Sequence, residues 1–79
     1  MINSMTPSLS TPKTMTFFDA LKKVVEGKRI ARIAWQPSPD YGVMKDSFLT
    51  IFTKGKFFRW SVNDGDLNNE DWVVLPDIN

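Results

Sequence analysis

The chain has 79 residues, with no cysteine and no histidine, and its ten basic and nine acidic side chains leave a net charge of +1. This length allows one small domain, and the missing residue types exclude a disulfide framework, a typical zinc site and nucleophilic catalysis by a Cys–His pair. Because so small a core is marginally stable on its own, we expect a homo-oligomer.

The charges are unevenly distributed along the chain. Residues 1–60 hold all ten basic side chains and four acids, whereas residues 61–79 hold five acids and no base. Nucleic-acid-binding domains usually carry a basic patch without a matching acidic block, so we expect the two blocks to meet each other and no nucleic-acid polymer as partner. No apolar run is long enough to span a membrane and no hydrophobic export segment follows Met1, which predicts a soluble intracellular protein without a membrane partner.

The chain begins with a polar segment. Residues 1–15 are rich in Ser, Thr and Pro and predict a flexible, disordered N-terminal extension, followed by a single domain over residues 16–79.

A helix is expected from about Thr16 to Glu26. Thr16 is a suitable N-cap with Asp19 three positions later, and Gly27 is a natural residue just past the C-terminal end. Its predicted apolar face holds Phe17, Leu21, Val24 and Val25.

Residues 27–35 alternate with period two, as a half-buried strand does. Arg32 lies between Ile30 and Ala34 on one face, where a cation needs a partner. The available acids lie at the far end of the chain, so we expect the C-terminus to fold back over this strand. Residues 36–42 are dense in Pro, Ser and Gly and predict a loop beside Trp35, which is either a pocket rim or a plain connection.

Residues 47–61 predict a β-hairpin around the turn Lys54-Gly55. In this register Ile51 faces Phe58 and Thr50 faces Arg59. One face of the hairpin is apolar and should lie against the helix: Leu49, Ile51, Phe58 and Trp60. The other face carries Phe48, Phe52 and Phe57, which is too much exposed aromatic surface for a monomer and predicts an association surface.

The acidic tail is expected to form a short helical turn around Asp66–Asp71 before a last strand over residues 72–75. Its acids resemble the start of a calcium loop, but Asn69 stands where that loop requires Gly and Leu75 where it requires Glu. No carboxylate pair is singled out for acid–base catalysis. We therefore expect a binding protein without metal or cofactor rather than an enzyme.

Several short motifs occur in a distinctive order: Phe17-x-x-Ala20-Leu21, Gly27-Lys28-Arg29-Ile30-Ala31-Arg32 before Trp35, Gly55 in the hairpin, Trp60-Ser61, and Asp66-Leu67-x-x-Glu70-Asp71-Trp72. Over about residues 16–75 this order and spacing resemble the Thoeris anti-defence two family of small phage proteins. The resemblance implies a sponge that holds cyclic nucleotide immune signals, either cyclic ADP-ribose species or cyclic oligonucleotides, in the cytoplasm of the infected bacterium. It also implies a dimer of dimers with pockets between protomers.

A nucleotide ligand would require side chains of particular types in its binding site. Bases stack on aromatic rings, phosphates prefer forked guanidinium groups, and ribose hydroxyls bond to carboxylates or amides. The expected ligand-binding residues are Arg32, Trp35, Arg59, Trp60, Ser61, Asn63, Asp66 and Asp71. Structural roles are the alternatives for several of them: Trp35 in the core, Asp71 as a cap or as the partner of Arg32, and Arg59 as a solvated strand residue.

These observations predict an α+β fold in which one N-terminal helix packs on an antiparallel sheet of about four strands. The predicted function is sequestration of a nucleotide second messenger without catalysis. The alternative is inhibition of a host protein through the face that carries Phe48, Phe52 and Phe57. The sequence departs from the family pattern at Ala34 and in the Pro-containing loop that follows Trp35.

Overall fold

The computed structural model describes residues 13–77, so most of the predicted N-terminal extension lies outside the described residues. The described part is an α+β fold, as predicted. In chain order its elements are α1 (Phe17–Val25), β1 (Ile30–Arg32), a 3₁₀ turn (Ile33–Trp35), β2 (Tyr41–Lys45), β3 (Phe48–Thr53), β4 (Lys56–Arg59), α2 (Asp64–Asn68) and β5 (Trp72–Val74). The strands form one antiparallel sheet in the order β4-β3-β2-β1-β5.

Helix α1 covers one face of this sheet. Thr16 Oγ1 accepts the backbone N–H of Asp19 at 3.2 Å, and Gly27 follows the helix with a φ of 97°, as the predicted start and end require. The buried side of the helix carries Phe17, Ala20 and Val24. Val25 was predicted on that side but is 67% exposed, because one further residue rotates the side chain about 100° away from the buried stripe.

The sheet has one strand more than expected. β2 begins at Tyr41, inside the predicted loop, and pairs with β3 from Tyr41–Phe52 to Lys45–Phe48. Gly42, which suggested a loop, lies in this strand and pairs with Ile51; glycine is needed there because a Cβ would come within 2.2 Å of the Trp60 ring.

The first strand is shorter than predicted. Only residues 30–32 pair as β1, and the chain then turns through Ile33–Trp35. Asp71 holds this turn, because its carbonyl oxygen accepts the Ile33 N–H at 3.0 Å and its carboxylate accepts the Ala34 N–H at 3.0 Å. The Ala34 amide is therefore bonded to a side chain and takes no part in strand pairing.

The hairpin of β3 and β4 has the predicted register, with Ile51 opposite Phe58 and Thr50 opposite Arg59. Lys54 and Gly55 both have positive φ, as a two-residue hairpin turn requires. Phe58 was expected to lie under the helix but is 46% exposed, because α1 packs mainly on β1, β2 and β5.

The core lies between α1 and the sheet. Its fully buried members are Phe17, Ala20, Val24, Ile30 and Trp72. Helix α2 begins earlier than the predicted turn, because Asn63 and Asp66 form a capping box at its N-terminus. Neither helix within residues 13–77 combines the length and apolar character needed to cross a bilayer.

Candidate functional site

The sheet face opposite α1 is the main surface without a covering layer in the described part of the chain. Because side chains alternate along paired strands, one set points to this face, which we call the open face. The open face of β2, β3 and β4 carries Tyr41, Val43, Lys45, Phe48, Thr50, Phe52, Phe57 and Arg59. Its central rings are in contact: the Tyr41 and Phe52 centroids lie 5.1 Å apart, and those of Phe52 and Phe57 lie 5.0 Å apart.

Basic side chains lie over the aromatic rings of the open face. The Arg59 guanidinium carbon is 3.7 Å from the Phe48 centroid, and Lys45 Nζ is 4.9 Å from the Phe57 centroid. Neither forms an ion pair with a carboxylate of residues 13–77. A guanidinium stacked on a ring keeps its N–H donors free at the edge of its plane, so Arg59 is oriented to bind an anion.

These side chains enclose a shallow concavity of about 310 Å³. It is lined by Lys45, Asp46, Phe48, Thr50, Phe57, Phe58 and Arg59. Thr50 is buried, and its hydroxyl donates to the Phe48 carbonyl at 2.9 Å. Phe57 and Phe48 remain about half exposed, at 46% and 49%. The concavity therefore combines two cations and one acid, Asp46, with aromatic surface, and this excess of positive charge suits a ligand that has an anionic group next to a planar ring.

The open face continues past Tyr41 to a second groove of about 360 Å³. Arg29 lies over the Tyr41 ring at 5.1 Å, and Ala31 and the segment 36–40 line the groove together with Leu75 and Pro76. The Arg29 guanidinium also donates to the Pro76 carbonyl, so part of its hydrogen-bonding capacity is already used.

Two of the predicted ligand-binding residues bond to each other. Arg32 Nε donates to Asp71 at 2.8 Å. Burial opposes ionisation of Asp71, but the bonds from Arg32 and the Ala34 amide and the Arg32 charge outweigh it and lower the pKa of the carboxyl. This ion pair ties the end of β1 to the start of β5, so the predicted folding back of the C-terminus is confirmed.

A second group of predicted residues surrounds α2. Asn63 caps the helix, and the Asp66 carboxylate accepts the Trp60 indole N–H at 3.2 Å and the Asn63 N–H at 3.1 Å. The Asp66 carbonyl accepts the Trp72 indole N–H at 3.1 Å. Asp66 is buried, and its carboxylate and its carbonyl oxygen both accept hydrogen bonds from within the fold.

The other predicted residues are dispersed. Trp35 is partly buried against the core, 5.2 Å from Trp72 and 6.3 Å from Trp60 between ring centroids. Ser61 is exposed between β4 and α2. Arg59 alone among the predicted set lies on the open face.

Lys45 was not among the residues predicted to bind a ligand, and Tyr41 was considered only as part of a possible pocket rim in a loop. Both belong to the strand that was interpreted partly as a loop, and its alternation Tyr41-Val43-Lys45 was the available signal. In the acidic stretch and elsewhere within residues 13–77, no three ligating side chains come together as a metal site would require.

Comparison with known proteins gives a family for this arrangement. A family model described as the Thoeris anti-defense 2-like domain matches residues 15–75, which is most of the chain and nearly all of its described part. No curated protein matches the sequence.

Proposed function

This chain belongs to the Thoeris anti-defense 2-like family, and on that premise we propose that it binds and holds a nucleotide-derived immune second messenger without degrading it. The ligand would be of the cyclic ADP-ribose or cyclic oligonucleotide type. The protein would act in the cytoplasm of the infected bacterial host, as a dimer of dimers. The family membership itself gives the chain a role in countering Thoeris defence.

The observation that carries this proposal is the concavity on the open face. Arg59 and Lys45 would bind a phosphate there, and the exposed rings of Phe57 and Phe48 would contact a base. Stacking of one base on an aromatic ring contributes about 1–3 kcal/mol, and charge-assisted bonds to phosphate add to it. An anionic ligand also fits the charge of this face better than the same face of a second copy, because two such faces would bring cations together.

Ligand binding by the remaining predicted residues, which are dispersed and in part buried, stays a prediction, and we call the surface around Trp35 the second candidate surface. Arg32 and Asp71 would have to break their own ion pair to bind a ligand, and Asp66 its bonds to Trp60 and Asn63. Trp35 and Ser61 carry no such cost.

Sequestration needs only ground-state affinity, since its effect is to lower the free concentration of the signal. We therefore propose that one site removes one molecule. In the test, the protein is incubated with signal from immune-active cells, washed and denatured by heat. The released compound should be chemically unchanged, and silencing of the effector should require protein in molar excess. A linearised or hydrolysed product, or silencing by substoichiometric protein, would show an enzyme instead.

Inhibition of a host protein is the second candidate, and the exposed rings of Phe48 and Phe57 favour it. The two functions differ in their response to small molecules. A ligand that binds the folded state raises the unfolding temperature by mass action, so a panel of cyclic nucleotides should contain a stabilising compound. A protein inhibitor would show no stabilisation across the panel.

A further inference from the structure

Strand β5 lies at one edge of the sheet, and half of its outer backbone groups have no partner within residues 13–77. The Leu75 N–H donates to the Arg29 carbonyl at 2.8 Å, so the odd-numbered residues of this segment are the ones that bond to β1. The even-numbered residues Trp72 and Val74 therefore direct their N–H and C=O groups outwards. Such an edge is a template for a further strand.

Met15 already pairs with one of these two residues. Its N–H donates to the Trp72 carbonyl at 2.9 Å, and its carbonyl accepts the Trp72 N–H at 3.3 Å, in the antiparallel direction. Within residues 13–77 this ladder stops there, and no group bonds to the N–H or C=O of Val74. In the register that Met15 begins, the next hydrogen-bonded pair is Lys13 with Val74.

The side chains that precede α1 already alternate as a strand on this edge requires. Lys13 and Met15 line one groove together with residues of α1, so both lie on the helix-covered side of the sheet. The alternate positions, Pro12 and Thr14, then belong to the open-face side. Proline lacks an N–H and fits an edge strand where that group would face solvent, which is the case at position 12 in this register.

An apolar groove lies directly beside this edge. Its volume is about 390 Å³, and it is lined by Ile33, Gln36, Val73, Val74, Leu75 and Pro76. Leu75 stands opposite Pro12 in the register, so the proline ring would cover the groove at its β5 side. A segment of the same chain reaches the groove without losing the translational freedom that a separate partner loses on binding.

We propose that residues 10–13 close onto the outer edge of β5 as a sixth strand. Lys13 then bonds to Val74, and Pro12 faces Leu75 and covers the apolar groove. The first three residues of this segment lie outside the described part of the chain, and the pair that is already formed beside them fixes their register. The closed segment leaves β5 without a free edge for a strand of another protein. This inference goes beyond the proposed function and is tested without a ligand.

Cross-strand contacts in the full-length wild type give the direct test. The α-protons of a non-hydrogen-bonded antiparallel pair lie close together, so we expect a nuclear Overhauser effect between those of Pro12 and Leu75. The Val74 amide should have a hydrogen-exchange protection factor at least about tenfold higher than that of Thr14, whose N–H faces solvent in this register. Neither measurement depends on the folding of a variant.

Two substitutions at position 13 form a matched pair. Lys13→Pro removes the N–H that would donate to the Val74 carbonyl, so it should abolish the Overhauser effect and lower the protection factor of Val74 about tenfold or more. Lys13→Ala keeps this N–H and should retain both signals. The protection should not change on dilution, because the segment and the strand belong to one molecule.

Four results would each overturn the proposal. They are the absence of an Overhauser effect between Pro12 and Leu75, a Val74 amide that is protected no better than that of Thr14, equal protection of Val74 in the two position-13 variants, and protection that falls on dilution. The last result would assign the edge to a second copy of the chain instead.

Discussion

The carboxylate of Asp71 accepts a 2.8 Å hydrogen bond from Arg32 Nε, and this ion pair joins the end of β1 to the residue before β5. The second carboxylate oxygen accepts the Ala34 N–H, which fixes the 3₁₀ turn that carries Trp35. One side chain therefore holds two strands and a turn together, and it does so in its ionised form.

This pair gives stability a defined pH dependence. Because the pKa of Asp71 is lowered on folding, its stabilisation is complete above the unfolded pKa of about 3.9 and is lost as the pH falls through the lower folded value. We expect Asp71→Asn to reduce the free energy of unfolding at pH 7 by about 1.5–3 kcal/mol, because Arg32 loses its charged partner. Urea unfolding of the variant and the wild type at pH 7 and near pH 2 measures the difference between their free energies of unfolding, which should be smaller near pH 2. Asp77→Asn removes a more exposed ion pair with Lys28 and should change stability little. An equal loss at both pH values would contradict this role of Asp71.

Gly42 should not tolerate a side chain. A Cβ at this position would lie 2.2 Å from Trp60 Cζ3 and 2.9 Å from Cε3, and that ring is fixed by its bond to Asp66. We expect Gly42→Ala to destabilise the fold by about 1–3 kcal/mol through overpacking, measured by thermal unfolding. At Gly65 the nearest atom to a new Cβ, Asn63 Oδ1, is 3.2 Å away, so Gly65→Ala should cost less. Equal melting temperatures for the Gly42 variant and the wild type would show that Trp60 can move aside.

Trp72 is the largest fully buried side chain in the core. Truncation to alanine leaves a cavity and an unpaired Asp66 carbonyl, so we expect Trp72→Ala to cost about 3–5 kcal/mol. Phe18 is 63% exposed on α1 and provides the control, because Phe18→Ala should stay within about 0.5 kcal/mol of the wild type. Chemical denaturation of the three proteins gives the comparison. A Trp72 variant as stable as the Phe18 variant would contradict the core assignment.

Arg59 should contribute to ligand binding through its charge and its fork of donors. The ligand for this test is a cyclic nucleotide that raises the unfolding temperature of the wild type. We expect Arg59→Gln to raise its dissociation constant about 10-fold or more, since a charge-assisted bond contributes about 1.5–3 kcal/mol. Isothermal titration calorimetry measures the change. Lys22→Gln removes one positive charge on α1, away from the open face, and should leave affinity unchanged. If Trp35→Ala weakens binding while Arg59→Gln does not, the ligand lies on the other surface.

The parts of the fold that depend on local pattern were predicted well. Thr16 and Gly27 delimit α1 because capping and a positive φ are properties of a few neighbouring residues. The hairpin register followed from the turn Lys54-Gly55 in the same way. Arg32 also predicted an acidic partner from the C-terminus, because a half-buried cation has few alternatives.

What the sequence left open depends on contacts between distant segments. Gly42 was interpreted as a loop residue, because the Trp60 ring that requires glycine there comes from a distant segment that directly follows β4. Asp66 and Asp71 suited a ligand site by residue type, but Trp60 and Arg32 already occupy their oxygens. The concavity around Arg59 needed the missed strand β2, which supplies Lys45.

The clustering of the indole rings also separates two classes of fluorophore within the molecule. All three tryptophans lie on the helix-covered side of the sheet, with ring centroids between 5.2 and 6.3 Å apart, whereas the single tyrosine, Tyr41, lies on the open face. Indole emission therefore reports on the interior and on the surface near Trp35. A ligand bound at Arg59 would leave the indole emission almost unchanged as long as the protein stays folded. A ligand bound at Trp35 would quench or shift that emission. A fluorescence titration thus distinguishes ligand binding at the two surfaces without labelling or mutation. The same indole emission also monitors unfolding of the protein while a ligand occupies the open face.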